Sequence, residues 1–346
     1  MQTALMVNEK FGKITRTTRP IPQTADAGEI IVKIKAASIN GMDWKIPKWG
    51  IIVYDYPTVL GYDVVGDVIA VGEGINKFSV GDKVLTVAVF SFGSCLPYPD
   101  FGGYQSYCKL KVDFPAKIPP TLTYDQASTF PIAFFAAYQA MYNTLPHGMG
   151  LTPLVPSGRD KYTNKPILII GGGSYVGSFG IQFARLSGFS PVITTTSLKH
   201  ADRPKGPGAT HIIDRNTSPA SLREQIVSIL SSTTNQTLLA EGGLLEYVFD
   251  AISAPSTQSI AFDLVAAGER VNVGATTGFP DVPKNRECVK AVYDQFTKWI
   301  EDGLFVPSNV EVVPGGLDAV VDCLKRMENN EISTETKPVI HPSESS

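Results

Sequence analysis

The sequence predicts an α/β protein in two parts, a small β-barrel-like domain followed by a doubly wound parallel sheet. Three observations predict it. Short strands broken by Gly and Pro fill about the first 115 residues, strands and helices alternate from Pro166 onward, and an apolar strand runs into Gly171-Gly172-Gly173. The 346 residues are 43% hydrophobic and 18% charged, with 30 Lys and Arg against 33 Asp and Glu. That composition excludes a disordered chain, and a formal charge of −3 leaves no basic excess for the phosphates of a nucleic acid. At about 100–200 residues per domain, the length gives two domains with ample core. Four Cys and four His are too few and too scattered for a disulfide framework or a four-cysteine zinc lobe.

In chain order, residues 29–36 (EIIVKIKA) read as a strand, 63–72 as a second, and Phe78-Ser79-Val80-Gly81-Asp82 as a turn into a third at 83–87. No helical period separates them, which suggests the barrel-like domain. After Thr123 a stretch of helix formers runs from Tyr124 to Met141, and 151–160 is a Pro- and Gly-bearing loop. The βαβ part then offers strands at Ile167–Ile170, Val192–Thr196, His211–Asp214, 247–250 and 270–273. A helix carrying Ala291-Val292-Tyr293, Phe296 and Trp299-Ile300 leads out, and the last forty or so residues return to strand and loop, with one helix near 317–327. The N-terminal residues lack the basic-then-apolar order of a signal peptide, and no later stretch gives roughly 20 uninterrupted apolar residues. The expectation is a cytoplasmic protein with reduced thiols and no membrane partner.

The segment 167–177, ILIIGGGSYVG, carries the most chemistry. An apolar strand meets glycines, and a helix follows with Val176, Phe179, Phe183 and Leu186 on one face. Glycines let the backbone approach a pyrophosphate at a helix N-terminus, where amides and the dipole favour negative charge. Gly172 and Gly177 fit the dinucleotide pattern G-x-G-x-x-G, whereas the middle glycine is Ser174. Gly172, Gly173, Ser174, Tyr175, Val176 and Gly177 are therefore the candidate phosphate contacts. The strand 192–196 ends in Ser197-Leu198-Lys199, where a cofactor with a free ribose 2′-hydroxyl usually meets Asp or Glu. A carboxylate about 4 Å from a 2′-phosphate would cost several kcal/mol at an effective dielectric of roughly 20, so its absence points to NADPH. Arg215, after the third strand, adds charge or is a solvated surface cation.

Several segments resemble the medium-chain dehydrogenase/reductase superfamily. Gly61-Tyr62-Asp63-Val64-Val65-Gly66 is similar to its Gly-His-Glu segment, Val80-Gly81-Asp82-Lys83-Val84 to its Gly-Asp-x-Val turn, and Phe101-Gly102-Gly103-Tyr104-Gln105-Ser106-Tyr107 to its Gly-Ala-Tyr-Ala-Glu-Tyr segment. Asn40-Gly41-Met42-Asp43-Trp44-Lys45 resembles the Asn-Pro-x-Asp-Trp-Lys motif of fungal zinc-independent members, among them enoyl reductases of polyketide pathways, and Pro314-Gly315-Gly316-Leu317-Asp318-Ala319 also resembles that branch. The resemblance implies a GroES-like β-barrel catalytic domain from residues 1–125 and 305–346, around a Rossmann domain at 126–304, with the cofactor in the cleft between them. It places Asn40 where zinc alcohol dehydrogenases carry a metal-binding Cys and Tyr62 where they carry a His. The structural zinc lobe has no counterpart, since Cys95, Cys108, Cys288 and Cys323 are far apart in sequence. No metal is expected.

Without zinc, the simplest reaction is hydride transfer from NADPH to an activated C=C of an α,β-unsaturated carbonyl, or to a quinone. The protein must then position the substrate and donate to the enolate oxygen, where charge develops. Lys45 is the first candidate donor, or an exposed lysine in a turn anchored by Trp44. Tyr62 is the second, or a packed core tyrosine. Asn40 could bond ribose or substrate, or close its own turn. The resemblance adds cofactor contacts after the fourth strand (Ile252) and after the fifth (Gly274, Ala275). It also puts Ala136 where relatives have Thr near the nicotinamide; Phe134 and Phe135 beside it add apolar bulk to the cleft or are core. The substrate would be a small molecule or a carrier-bound thioester, and the protein a monomer or homodimer. Competing readings are a quinone oxidoreductase and a catalytically inactive NADPH sensor or synthase-docking protein.

Overall fold

The computed structural model describes residues 1–88, 98–233, 244–272, 283–334 and 336–345. In chain order come β1 (Gln2–Val7), β2 (Ile14–Arg19), β3 (Glu29–Ser38), α1 (Gly41–Trp49), β4 (Thr58–Val59), β5 (Asp63–Val71), β6 (Lys83–Val87), β7 (Tyr107–Lys111) and β8 (Ala116–Lys117). There follow α2 (Tyr124–Ser128), α3 (Pro131–Tyr142), β9 (Ile167–Ile170), α4 (Tyr175–Leu186), β10 (Val192–Thr196), α5 (Asp202–Lys205), β11 (His211–Asp214), α6 (Pro219–Thr233), β12 (Leu245–Asp250), α7 (Pro255–Leu264) and β13 (Val265–Asn272). Last come α8 (Pro283–Glu301), β14 (Asn309–Val312), α9 (Val320–Glu328) and β15 (Thr336–Ile340). The chain divides into two compact units, Met1–Ile132 with Phe279–Gly303 and Pro307–Ser346, and Ala133–Gly278 with Leu304–Val306.

The first unit is a strand-rich barrel-like body. A seven-stranded sheet runs β14-β15-β3-β5-β6-β8, with β7 also on β3, and a smaller sheet runs β2-β1-β4. β3 is its spine: Ile30, Ile31, Val32 and Ile34 are at most 1% exposed, and it pairs with β5, β7 and β15. Gly61 precedes β5 with φ +93°, and a Cβ there would sit 2.7 Å from the Tyr104 amide nitrogen, so the approach admits only glycine.

Two local expectations change. The segment read as strands without helix contains α1, because Asn40 and Asp43, rather than an apolar period, start it. The helical stretch after Thr123 is two helices. α2 is capped by Thr123 Oγ1 and Gln126 Oε1, each accepting from the other's amide at 3.1 Å, and α3 begins afresh at Pro131, whose missing N–H is harmless at a first helical position.

The second unit carries the sheet β11-β10-β9-β12-β13, every pairing parallel. The first of its strands in sequence, β9, is central, as in a doubly wound fold. All four of its residues are at most 4% exposed, since helices cover both faces. Leu222, Ile226 and Leu230 of α6 pack in one core with Leu168, Ile193 and Val248. Phe134, Phe183 and Phe305 form another cluster, with ring centroids 4.8–4.9 Å apart. Phe134 and Phe135 are wholly buried core residues.

In the first unit His341, after β15, sits between Asp125 Oδ1 at Nε2 and Glu344 Oε1 at Nδ1, both 2.8 Å away. Against the opposing effect of its burial, these carboxylates raise its pKa above the ordinary 6.5. A pKa raised on folding gives stability that is complete below the unfolded value and lost as pH rises through the folded one. The urea midpoint of the wild type should therefore exceed that of His341→Gln at about pH 6 and approach it by about pH 8.5. An unchanged gap across that range would show that the imidazolium adds nothing.

Candidate functional site

The glycine turn joins β9 to α4. The Gly171 and Gly172 amides donate to the Thr195 carbonyl at 3.2 and 3.0 Å, and Ser174 Oγ caps α4 by accepting from the Gly177 amide at 3.0 Å. A Cβ on Gly177 would lie 2.2 Å from the Gly171 carbonyl oxygen, so the turn closes on α4 only with glycine there. Bare glycine backbone at the positive end of a capped helix fits a pyrophosphate. Tyr175 and Val176 are the first helical residues.

The flanking candidates gather at neighbouring strand ends. Ser197 follows β10, Lys199 is exposed in the short turn beyond, and the Arg215 amide donates to the Thr196 carbonyl at 2.9 Å while its side chain is exposed. The carboxylate in register with Thr196, Asp214, accepts from the Asn216 amide and side chain at 3.0 and 3.1 Å. Ile252 lies against the turn, since a Cβ on Gly171 would come within 2.4 Å of its Cδ1. Asp250 holds it there, accepting from the Ile252 and Ser253 amides at 2.9 and 3.1 Å. Gly274 and Ala275 lie outside the described residues. No motif singles out Arg203 of α5, whose guanidinium stands 5.5 Å from the centre of the Tyr175 ring.

In the first unit, Asn40, Asp43 and Asp63 meet in a buried polar cluster with partners remote in sequence. Asp63 accepts from Ser38 Oγ, from Asn40 Nδ2 at 2.9 Å and from the Ile132 amide at 2.8 Å. The Ile132 amide belongs to the first turn of α3, where the helix dipole favours a carboxylate. Lys337 of β15 donates to Asn40 Oδ1 at 2.6 Å and stands 3.7 Å from Asp63 Oδ2, with both side chains fully buried. Asp43 Oδ2 accepts from the Asn40 amide at 2.9 Å and from the Tyr104 hydroxyl at 2.6 Å. Its Oδ1 has no hydrogen-bond partner among the described residues. Burial pushes the Asp43 carboxyl up to about 7 against the pull of the Tyr104 hydrogen bond.

Lys45 is half-buried on α1, its Nζ 5.6 Å from the Trp44 ring centre and 5.5 Å from that of Trp49. It forms no ion pair among the described residues. Tyr62 is wholly buried. Ala136 is 6% exposed within α3.

The alcohol dehydrogenase GroES-like domain family matches residues 26–120. A dehydrogenase of Aspergillus niger, azaJ, is 28% identical over 342 residues, covering 94% of this chain and 95% of that protein. The trans-enoyl reductase fsa3 of a Fusarium species is 32% identical over 272 residues, 77% of this chain and 68% of that one. The CurK enoyl reductase structure shares the fold, with a TM-score of 0.71, 16% identity, and 98% and 99% of the two chains covered. The chain belongs to the medium-chain dehydrogenase/reductase superfamily, on its enoyl reductase-like branch.

This reductase is thus an oxidoreductase that uses a nicotinamide dinucleotide and a small-molecule substrate. No helix among its described residues is long and apolar enough to cross a membrane. Sequence reading put Asn40 and Lys45 on one motif but missed Lys337, which is 297 positions from Asn40. The one local hint is a lysine placed in the apolar strand TKPVI, four of whose five residues are buried.

Between the ordinary carboxyl value of 3.8 and about 7, folded Asp43 holds a proton that the unfolded chain has released, so stability falls as pH rises through that window. Asp43→Asn removes this slope. The difference in urea midpoint between Asp43→Asn and wild type should shift in favour of the variant from about pH 4.5 to about pH 7. A constant difference would mean that Asp43 is not held protonated.

Proposed function

We propose that this reductase transfers hydride from NADPH to the C=C of an α,β-unsaturated carbonyl without a metal ion. The observation that carries the reading is the Lys337 ammonium on Asn40, at the position where the superfamily resemblance puts a zinc ligand. An amide and a phenol are poor zinc donors, and an ammonium fixed on the Asn40 amide oxygen disfavours a divalent cation there. A carbonyl substrate then needs a hydrogen-bond donor from the protein.

Bound NADPH supplies the hydride. Gly172, Gly173 and the first turn of α4, from Tyr175 to Gly177 behind the Ser174 cap, would hold its pyrophosphate. Ser197, Lys199 and Arg215 suit a 2′-phosphate, with Asp214 Oδ1 turned onto Asn216. Ile252 would pack beside the cofactor. Lys45 would donate to the carbonyl oxygen as negative charge builds there; its ammonium lies over two indoles and pairs with no carboxylate among the described residues. Asn40 serves by starting α1, and wholly buried Tyr62 by packing. The trans-enoyl reductase relatives support the unsaturated-carbonyl substrate.

The test follows nicotinamide absorbance with NADPH against a panel of enals, enones, enoyl thioesters and quinones. Oxidation with the unsaturated carbonyls is expected. Turnover of quinones alone would move the assignment, and NADPH binding without any turnover would favour a sensor. Lys45→Ala should lower kcat/KM by about 10²-fold, while the Kd for NADPH stays within about twofold. A chelator should leave the rate unchanged.

A further inference from the structure

Asn40 precedes α1 as its N-cap residue, yet its side chain does not cap the helix. An N-cap asparagine ordinarily turns its side-chain oxygen onto the amides of its own first turn. Here that oxygen accepts instead from Lys337 Nζ at 2.6 Å, and its Nδ2 donates to Asp63 at 2.9 Å. The start of α1 is therefore set by a strand almost 300 residues away. Only the Asp43 half of the usual local pair, the 2.9 Å contact to the Asn40 amide, remains.

We propose that Lys337 is a positioning residue that holds the N-terminus of α1, and through it Lys45, in the geometry for reduction. The proposal rests on the reading of Lys45 as the hydrogen-bond donor. In this role Lys337 acts through Asn40 and not on a reacting atom. Three features point the same way. The ammonium is wholly buried, so the contact does not exchange with water. Asp63, 3.7 Å away, is itself fixed by Ser38 Oγ and the Ile132 amide, which leaves the ammonium one well-defined seat. Lys45 lies two positions beyond Asp43, within the turn that these contacts start. Freed from Lys337, Asn40 would return to local capping and α1 would begin differently. A misplacement of about 1 Å can cost on the order of 10²-fold in rate.

Two of the three tryptophans, Trp44 and Trp49, sit on α1 with ring centres 5.4 Å apart at 71°, so their coupled near-ultraviolet circular dichroism reports on this helix without any substrate. The main variant is Asp63→Asn with Lys337→Met, which removes both charges together and leaves no buried ion unpaired. Asn40→Ala, which keeps the Lys337–Asp63 pair, serves if the double variant does not fold. The expected result is a cooperative melt, a Kd for NADPH within about twofold of wild type, a kcat lower by about 10- to 100-fold, and a weakened tryptophan couplet. A folded variant that keeps either the wild-type kcat or the wild-type couplet overturns the proposal. If the wild type reduces nothing in the substrate panel, the reductase reading fails by itself. The couplet then still decides whether Lys337 sets α1, and an unchanged couplet overturns the proposal there too.

Discussion

The contact between the Lys337 ammonium and the Asp63 carboxylate governs the first unit, because neither ion has water to turn to. Isolated, each would carry a desolvation penalty of several kcal/mol; the contact between them and the hydrogen bonds on Asp63 offset part of it. Asp63 begins β5 and collects donors from the end of β3, the start of α1 and the start of α3, while Lys337 reaches in from β15. Four elements besides β5, two of them far from it and from each other in sequence, are thus referred to one carboxylate. Buried pairs of this kind add little net stability, but losing one partner costs about 3–5 kcal/mol, so the arrangement specifies position more than it strengthens the fold.

Asp43 shows the other solution open to a buried carboxyl. Among the described residues it has no cation in hydrogen-bond contact, and only one of its oxygens is engaged, by the Tyr104 hydroxyl and the Asn40 amide. Desolvation is therefore met by retaining the proton, which brings the carboxyl to about 7. Two aspartates 20 positions apart, in one cluster, are thus handled in opposite ways by their neighbours.

The second unit works on shorter range. Its glycine turn is shaped by contacts to the adjacent strand β10, by the Ser174 cap and by the close approach of Gly177 to Gly171, all within about 25 residues of one another. Because the turn is built from neighbours in sequence, its geometry follows from local pattern. That is why β9 and β10 were legible to the residue: parallel strands buried on both faces read as unbroken apolar or β-branched runs, bounded by Gly and polar turns. α1 was not legible, since Pro47 and three polar or charged side chains in nine residues give it no apolar stripe. The break between α2 and α3 was missed because the helix formers continue through it and only Pro131 marks it.

By itself the sequence determined the α/β class, the parallel sheet, the glycine turn and the placement of Asn40 and Lys45 on one motif, because each depends on residue type and short-range period. The tertiary structure alone decided that Lys337 meets Asn40 and Asp63, that the Asp43 carboxyl takes the Asn40 amide and the Tyr104 hydroxyl at the start of α1, that Tyr62 is wholly enclosed, and that Arg203 stands over Tyr175. Those contacts arise from burial and charge compensation between segments far apart in the chain. Neither hydropathy nor spacing records which buried ion will find which partner.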